Sequence, residues 1–421
     1  MGLSSLDNHS SKDKTSESAA GLLYADFNQD YGCFSVGTES GFRIYNSDPF
    51  KEKMKREFEE GGIGNITMLY RSNFLALVGG GRNPQFPSNK VMIWDDSTRQ
   101  IISELEFRSE VRSVLLRKDL IIVFLRAKCI VCTLEPQPQK LHAFETFDNV
   151  KGIGAVSYES ESGILVFPGR QKGQIQVVHL NNISKDNNNL LSKISDTATT
   201  SYQPTISNIE SAGLDVSTSN TEEIAIKGAK QALKPAKINI VVAHATALSA
   251  LAISNDGAYV ASASEKGTLI RVFSTEDGML LYELRRGVDR ANIFSIAFSS
   301  DSSRICVSSD KGTVHIFNLD ANYTNQQSAA NTSSNETVFS AQNTRGNKQS
   351  SLSFIKGLLP KYFSSEWSFS HFRVQGEFKC ISGFSPNRDS VVVICANGVV
   401  EKYSIGPLKG TCTREWSRRY I

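Results

Sequence analysis

The sequence predicts an all-β chain wound into a seven-bladed propeller of WD-repeat type, and three observations predict it. Short β-rich runs recur between turn residues along most of the 421 residues, without helical periodicity. Two segments align with each other at an offset of about 45 residues, the size of one WD-type blade. A Trp94–Asp95 dipeptide ends one of the strand-like runs.

Taken in order, residues 1–20 read as a disordered polar tail. They have no apolar core and so make no secretory signal. Gly2 begins a myristoylation-like pattern, but Leu6 stands where Ser or Thr is required. The propeller is expected over 21–421. Leu22 to Tyr45 holds a strand pair broken around Asn28–Gln29–Asp30. Ile66 to Phe107 holds several runs, among them Phe74 to Val78 and Val91 to Trp94. Val111 to Leu134, Ala155 to Leu180, Leu248 to Leu284, Ile293 to Leu319 and Phe378 to Tyr403 continue the series, and the count of runs gives seven blades. Residues 181–237, rich in Asn, Ser, Thr and Lys, read as a disordered insert. Residues 320–367 read as a long loop, polar first and apolar from Ser351 onward. Thr411 to Ile421 reads as irregular, which leaves the closure of the ring open.

The aligned segments share one grammar: strand, Asp turn, strand, Lys-Gly-Thr turn, strand. The first runs from Leu248 to Gly257 and from Val260 to Phe273. The second runs from Phe294 to Asp301 and from Val307 to Phe317. Net charge is +3, too small for bulk nucleic-acid binding, so any basic function must be local. Seven scattered cysteines suit a reducing compartment. Cys129 and Cys132 form a CxxC without a second pair or nearby histidine, and they read as buried strand residues. No apolar stretch has the length of a membrane span. No Walker, zinc or nucleophile–base pattern appears, so no enzyme, cofactor or metal is expected. Gly61–Gly62 and Gly79–Gly80–Gly81 lack nucleotide-loop spacing and read as turns or bulges.

Leu284-Arg285-Arg286-Gly287 lies between the two Lys-Gly-Thr turns. In that setting the chain resembles the autophagy PROPPIN family, β-propellers that bind polyphosphoinositides. Phe27-Asn-Gln-Asp30, Leu75-Ala-Leu-Val-Gly-Gly80 and Lys90-Val-Met-Ile-Trp-Asp95 carry the same resemblance, which runs from about Leu22 to the C-terminus outside the two inserts. Leu284 departs from the Phe of many members, an apolar exchange. The resemblance implies a phosphoinositide-binding autophagy adaptor that recognises phosphatidylinositol 3-phosphate and phosphatidylinositol 3,5-bisphosphate. It implies a cytoplasmic protein, peripheral on preautophagosomal, endosomal or vacuolar membranes, with an autophagy lipid-transfer protein as partner.

A phosphomonoester offers nearly two charges and several acceptor oxygens, so it calls for guanidinium forks, hydroxyls and free backbone N–H groups. On an extended chain, neighbouring side chains point to opposite sides. Arg285 and Arg286 therefore predict two sites. Ser262, Ser264, Gly267, Thr268 and Arg271 would join Arg285. Gly287, Ser309, Thr313 and His315 would join Arg286. Arg271 and His315 match when the two strands are aligned from their Phe ends. His244, Lys266, Arg290 and Lys311 could assist, and His315 is expected to titrate near neutrality and to bind phosphate better when protonated. Gly267, Gly287 and Gly312 are expected to permit close backbone approach. Two weak pockets facing one bilayer reinforce each other. Phe354, Ile355, Leu358, Leu359, Tyr362 and Phe363, with interspersed lysines, suit insertion at a membrane interface. Asn28, Asp30, Arg108 and Arg112 are candidate partner contacts. The competing reading of the same residues is a protein-interaction-only WD-repeat scaffold that binds acidic partners.

Overall fold

Seven sheets, five of four strands and two of five, make a closed ring in the computed structural model. It describes residues 2–4, 19–59, 61–159, 163–180, 237–319, 347, 365–376, 378–408 and 410–421, and there is no helix among them. Blade 1 starts at Leu22–Phe27, blade 2 at Ile63–Met68, blade 3 at Ser113–Leu116 and blade 4 at Ala155–Val156. Blade 5 starts at Leu248–Ile253, blade 6 at Ile293–Phe298 and blade 7 at Cys380–Phe384. These first strands are innermost and surround the central channel. The expected seven-bladed all-β propeller is the observed fold.

Strands that are buried on both faces read as unbroken apolar runs rather than alternating ones. In Leu120–Phe124 of blade 3, Ile121 and Val123 join a core shared with blade 2, while Leu120, Ile122 and Phe124 join one shared with blade 4. The CxxC obeys the same alternation. Cys129 packs toward blade 4 and Cys132 toward blade 2, so the two thiols lie on opposite faces of one strand and cannot share a metal. Trp94 is buried, Asp95 receives the Ser97 N–H at 2.9 Å, and Asp96 takes a two-pronged bond from Arg56 of blade 1.

Two sequence expectations change at the ends of the chain. Cys412–Arg419, within the stretch read as irregular, is the outer strand of blade 7. Tyr420 then tucks against blade 1, where the Tyr45 hydroxyl donates to its carbonyl at 2.6 Å. The ring thus closes through packing of blades 7 and 1 and a bond from the Ala19 N–H to the Ala396 carbonyl at 2.8 Å, and no strand among the described residues is exchanged between them. Residues 1–20 are not wholly outside the fold. Leu3–Ser4 pairs with the inner strand of blade 1, opposite Ala25 and Tyr24. Gly2 packs against the Tyr24 ring, and a Cβ there would stand 2.3 Å from a ring carbon.

The two segments read as inserts leave the fold at equivalent places, between the third and fourth strands of blades 4 and 6. The chain returns as Lys237–Val242, so Lys237 belongs to the propeller, and as Glu366–Trp367 followed by Ser370–Arg373. Glu366–Trp367 adds in parallel to the outer edge of blade 5. Asn347 bridges the base of the second insert. It bonds both backbone groups of Asn318 and donates to Glu366 at 2.8 Å.

Candidate functional site: two clefts flanking blade 5

The outer strand of blade 5, Leu280–Arg285, ends on the arginine pair. Leu284 is fully buried in the core shared with blade 6, so the next residue must turn to the other face. Pairing of Leu269 with Arg285, of Arg271 with Glu283 and of Ser262 with Arg271 places all these residues on one face. Val260 and Phe273, on that same face, pack into the core shared with blade 4. The face therefore lines a cleft between blades 4 and 5.

In that cleft Arg271 donates to the Ala243 carbonyl at 2.6 Å and forms an ion pair with Glu283 at 2.8 Å. His244 and Ser262 are 3.0 Å apart. Burial, with the Arg271 charge beside it, pulls the His244 pKa down to about 4, so the ring is neutral at ordinary pH. Arg285 donates to the Ser365 hydroxyl at 2.7 Å. Its guanidinium is nearly enclosed, with the residue 6% exposed.

Arg286 turns the opposite way, into a cleft between blades 5 and 6, and is also 6% exposed. It donates to the Gly267 carbonyl at 2.9 Å and to the Asp289 carbonyl. Burial lowers its pKa, and the Asp310 and Asp289 carboxylates oppose that effect. Val307 pairs with His315, and Val307 packs toward blade 5, so His315 faces Arg286 across the gap. Ser309, two residues along from Val307, shares that face. The Ser309 hydroxyl and one Asp310 oxygen are buried with no hydrogen-bond partner. Orphaned buried polar atoms are costly, and a ligand oxygen or ordered water would relieve them.

His315 departs from expectation. Thr313 lies 3.2 Å from its Nε2 and Ser368 3.3 Å from its Nδ1, and the His371 ring stacks on it at 5.6 Å. Burial first, then the charges of His371 and Arg286, push its pKa down to about 3. It does not titrate near neutrality in the free chain.

The other candidates sort as follows. Arg271 and His315 do occupy matching places, because Ser262 pairs with Arg271 as Val307 pairs with His315. Thr268 does not match Thr313. The blade 5 turn is one residue longer, so Leu269 takes the first strand position that Thr313 holds in blade 6. Gly267, expected beside Arg285, instead meets Arg286. It has φ +62, and a Cβ there would stand 1.8 Å from the Ala291 carbonyl. Gly312 is likewise left-handed at φ +65. Gly287 has no positive φ, and a Cβ there would meet nothing within 4 Å, so no close approach constrains it in the free chain. Ser264 is buried, and its carbonyl accepts from Ser249 at 3.0 Å. Lys266 and Arg290 are exposed near the blade 5/6 cleft, as is Lys311 on the blade 6 turn. The membrane-inserting candidates Phe354 to Phe363 lie outside the described residues.

The candidate partner contacts do not form one surface. Asn28 is buried, donates to the Tyr70 carbonyl at 3.2 Å and accepts from Cys33 N–H, so it latches blade 1 to blade 2. Asp30 bonds Arg71 at 3.1 Å. Arg108 and Arg112 sit on the connection between blades 2 and 3, at the opposite face of the ring from Asn28 and Asp30. Arg112 pairs with Glu110 at 3.0 Å.

A PROPPIN family model matches residues 214–346. SVP1-like protein 2 of Pichia angusta is 36% identical over 406 residues, covering 95% of each chain. This chain belongs to the PROPPIN family. Autophagy-related protein 18e of Arabidopsis thaliana is 30% identical to this PROPPIN over 404 residues, covering 95% of it and 88% of the relative. Among solved structures, Kluyveromyces lactis Hsv2 with complete loop 6CD matches with TM-score 0.66 at 22% identity, over 96% of this PROPPIN and 100% of that chain. A complex of KlAtg21 with the coiled coil of AgAtg16 matches with TM-score 0.61 at 19% identity, over 95% and 100%. These structural likenesses concern the fold.

Sequence reasoning passed over Glu283, Ser365, Ser368 and Asp310. Glu283 was within reach, because a residue two before Arg285 on one strand shares its face. Ser365 and Ser368 follow the second insert and carry no local signal.

Proposed function

We propose that this PROPPIN is a non-catalytic membrane adaptor of autophagy. It binds phosphatidylinositol 3-phosphate and phosphatidylinositol 3,5-bisphosphate through the two clefts that flank Arg285-Arg286-Gly287, and it recruits autophagy machinery to the membrane so marked. The observation that carries this reading is the splay of the two guanidinium groups into separate inter-blade clefts. One cleft also holds an unsatisfied buried hydroxyl, Ser309.

In the free chain the guanidinium groups rest on Ser365, Gly267 and Asp289. A headgroup phosphate exchanges these neutral acceptors for charged ones, and charge-assisted bonds are about twice as strong. Ser262, Ser264 and Arg271 complete the first site with Arg285. Gly267, Gly287, Ser309, Thr313 and His315 complete the second with Arg286, and Thr268 stands at their shared turn. Phe354, Ile355, Leu358, Leu359, Tyr362 and Phe363 add an apolar membrane contact. Attachment is peripheral, and no helix among the described residues is long and apolar enough to cross a membrane. A propeller of this fold solved with the coiled coil of another protein supports a recruiting role. A lipid-transfer protein is the partner we expect, with Asp30 and Arg108 as the candidate contacts still turned to solvent.

Flotation on vesicles carrying each phosphoinositide tests the reading. Arg285→Thr with Arg286→Thr should abolish recruitment while the propeller stays folded. Unchanged recruitment of that folded variant sinks it and favours the protein-only scaffold.

A further inference from the structure

A cavity of about 120 Å³ opens at one mouth of the central channel. That is far more than the ~10–15 Å³ that holds one water. Its cations come from three separate connections: Arg112 between blades 2 and 3, Lys151 between blades 3 and 4, and Lys379 between blades 6 and 7. One carboxylate shares the lining. Asp26 of blade 1 already accepts from the Tyr24 hydroxyl at 3.0 Å and from the Phe27 N–H at 2.9 Å. Three cations face that one carboxylate, and Glu110 at the rim pairs with Arg112, so positive charge remains in excess.

Arg112 and the backbone beside Lys151 are held in place. Arg112 keeps one prong on Glu110 at the rim, while its Nε is buried with no hydrogen-bond partner. Beside Lys151, Gly152 adopts φ +63, and its carbonyl receives the Ser113 hydroxyl at 2.5 Å. That bond fixes the Lys151 loop to blade 3. The rest of the wall is largely apolar, including Leu3, Leu115 and Phe294. Low-dielectric walls with one sign of charge concentrate counter-ions.

We propose that this cavity binds a compact phosphate dianion from solution, at a site distinct from the two lipid clefts. The excess of cations in the lining favours an anion. The site lies among inner strands, whereas Arg285 and Arg286 end an outer strand. The chain's own Gly2 and Leu3 form one wall.

The test uses the full chain, with inorganic phosphate and pyrophosphate titrated at constant ionic strength set by chloride. Binding is read by calorimetry and by thermal melting, since a ligand selective for the folded state raises Tm. Saturable binding near one equivalent is expected in the wild type and in Arg285→Thr/Arg286→Thr. It should weaken at least tenfold in Lys151→Gln/Lys379→Gln. Lys151 is exposed, so Lys151→Gln alone serves if the double variant does not fold. Flotation on phosphoinositide vesicles, run on the channel variants, separates a soluble anion from a lipid headgroup and should be unchanged. No saturable binding in the wild type overturns the proposal. So does binding that survives the channel substitutions made in the Arg285→Thr/Arg286→Thr background, or that disappears in the arginine variant. Loss of vesicle flotation in the channel variants equally refutes a separate soluble-anion site.

Discussion

The clefts on either side of blade 5 descend from the same repeated strand pair, yet they carry charge differently. The blade 4/5 cleft holds two guanidinium groups, one already neutralised by Glu283. The blade 5/6 cleft holds Arg286 with a neutral histidine where its neighbour has Arg271. It also has Asp310 close enough to act on Arg286 and a buried hydroxyl lacking a partner. A duplicated framework thus conserves geometry while the two copies diverge in electrostatics. The first site has a second cation in its wall, and the second has Arg286 as its buried cation, with Lys266 and Arg290 exposed nearby.

Removing both arginines breaks the comparison outright. Each charge-assisted contact is worth roughly 1.5–3 kcal/mol, and two sites on one bilayer multiply. Arg285→Thr/Arg286→Thr should therefore lower vesicle affinity by about 100-fold or more in a flotation titration. The single variants should be unequal. Arg286→Thr leaves its cleft without a buried guanidinium and should cost about tenfold more headgroup affinity than Arg285→Thr, which leaves Arg271 in place. Equal losses would mean that Arg271 takes no part. Arg286→Thr also strands the Gly267 and Asp289 carbonyls, and a denaturant melt should show a loss of about 1–3 kcal/mol.

Acid probes both clefts at once. His244 and His315 have folded pKa values of about 4 and about 3, below the ordinary 6.5. The unfolded chain therefore binds more protons as pH falls below 6.5. Stability contributed by the neutral rings is full above that pH and is lost as pH drops toward 4 and 3. One pKa unit is worth about 1.4 kcal/mol, so each histidine should cost on the order of 1 kcal/mol per pH unit in that window. Denaturant melts from pH 7.5 to 5 should show the decline, and His315→Gln should reduce its slope while leaving the share of His244. An unchanged slope in that variant would place the titrating group elsewhere.

Smaller effects sharpen the contrast. Glu283→Gln releases Arg271 and should tighten headgroup binding a few-fold, on the scale of a partly exposed ion pair. Thr313→Val should weaken binding measurably. Thr268→Val should be close to neutral, because Leu269 holds the place equivalent to Thr313. The reverse ranking would show that the turn, not the strand, meets the ligand.

The propeller was legible because blade strands declare themselves by apolar runs, and the repeated Lys-Gly-Thr turns fixed the period. The splay of Arg285 and Arg286 was legible from alternation alone. The side on which Gly267 lies was not. One extra residue in the blade 5 turn shifts it toward Arg286, and an alignment anchored on that turn hides the shift. The neutrality of His315 was also hidden, since burial and the His371 ring come from the returning outer strand. Asn28 looked like a surface turn residue, but its carboxamide is spent on backbone groups of Tyr70 and Cys33. Cys412–Arg419 escaped notice because an outer strand exposed on one face carries little apolar signal.

Each cleft borrows part of its wall from a chain segment that re-enters after a long excursion. Ala243 and His244 follow Lys237–Val242, while Ser365 and Ser368 flank Glu366–Trp367. Closing a loop as long as 181–236 costs about 2 kcal/mol more than closing a tight hairpin. These segments are accordingly the ones that detach most cheaply in local opening, and amide hydrogen exchange should find them first. Arg271 and Arg285, together with His315, would then be unlatched without disturbing the inner blades, so that each binding wall behaves as a hinged shutter on a rigid frame.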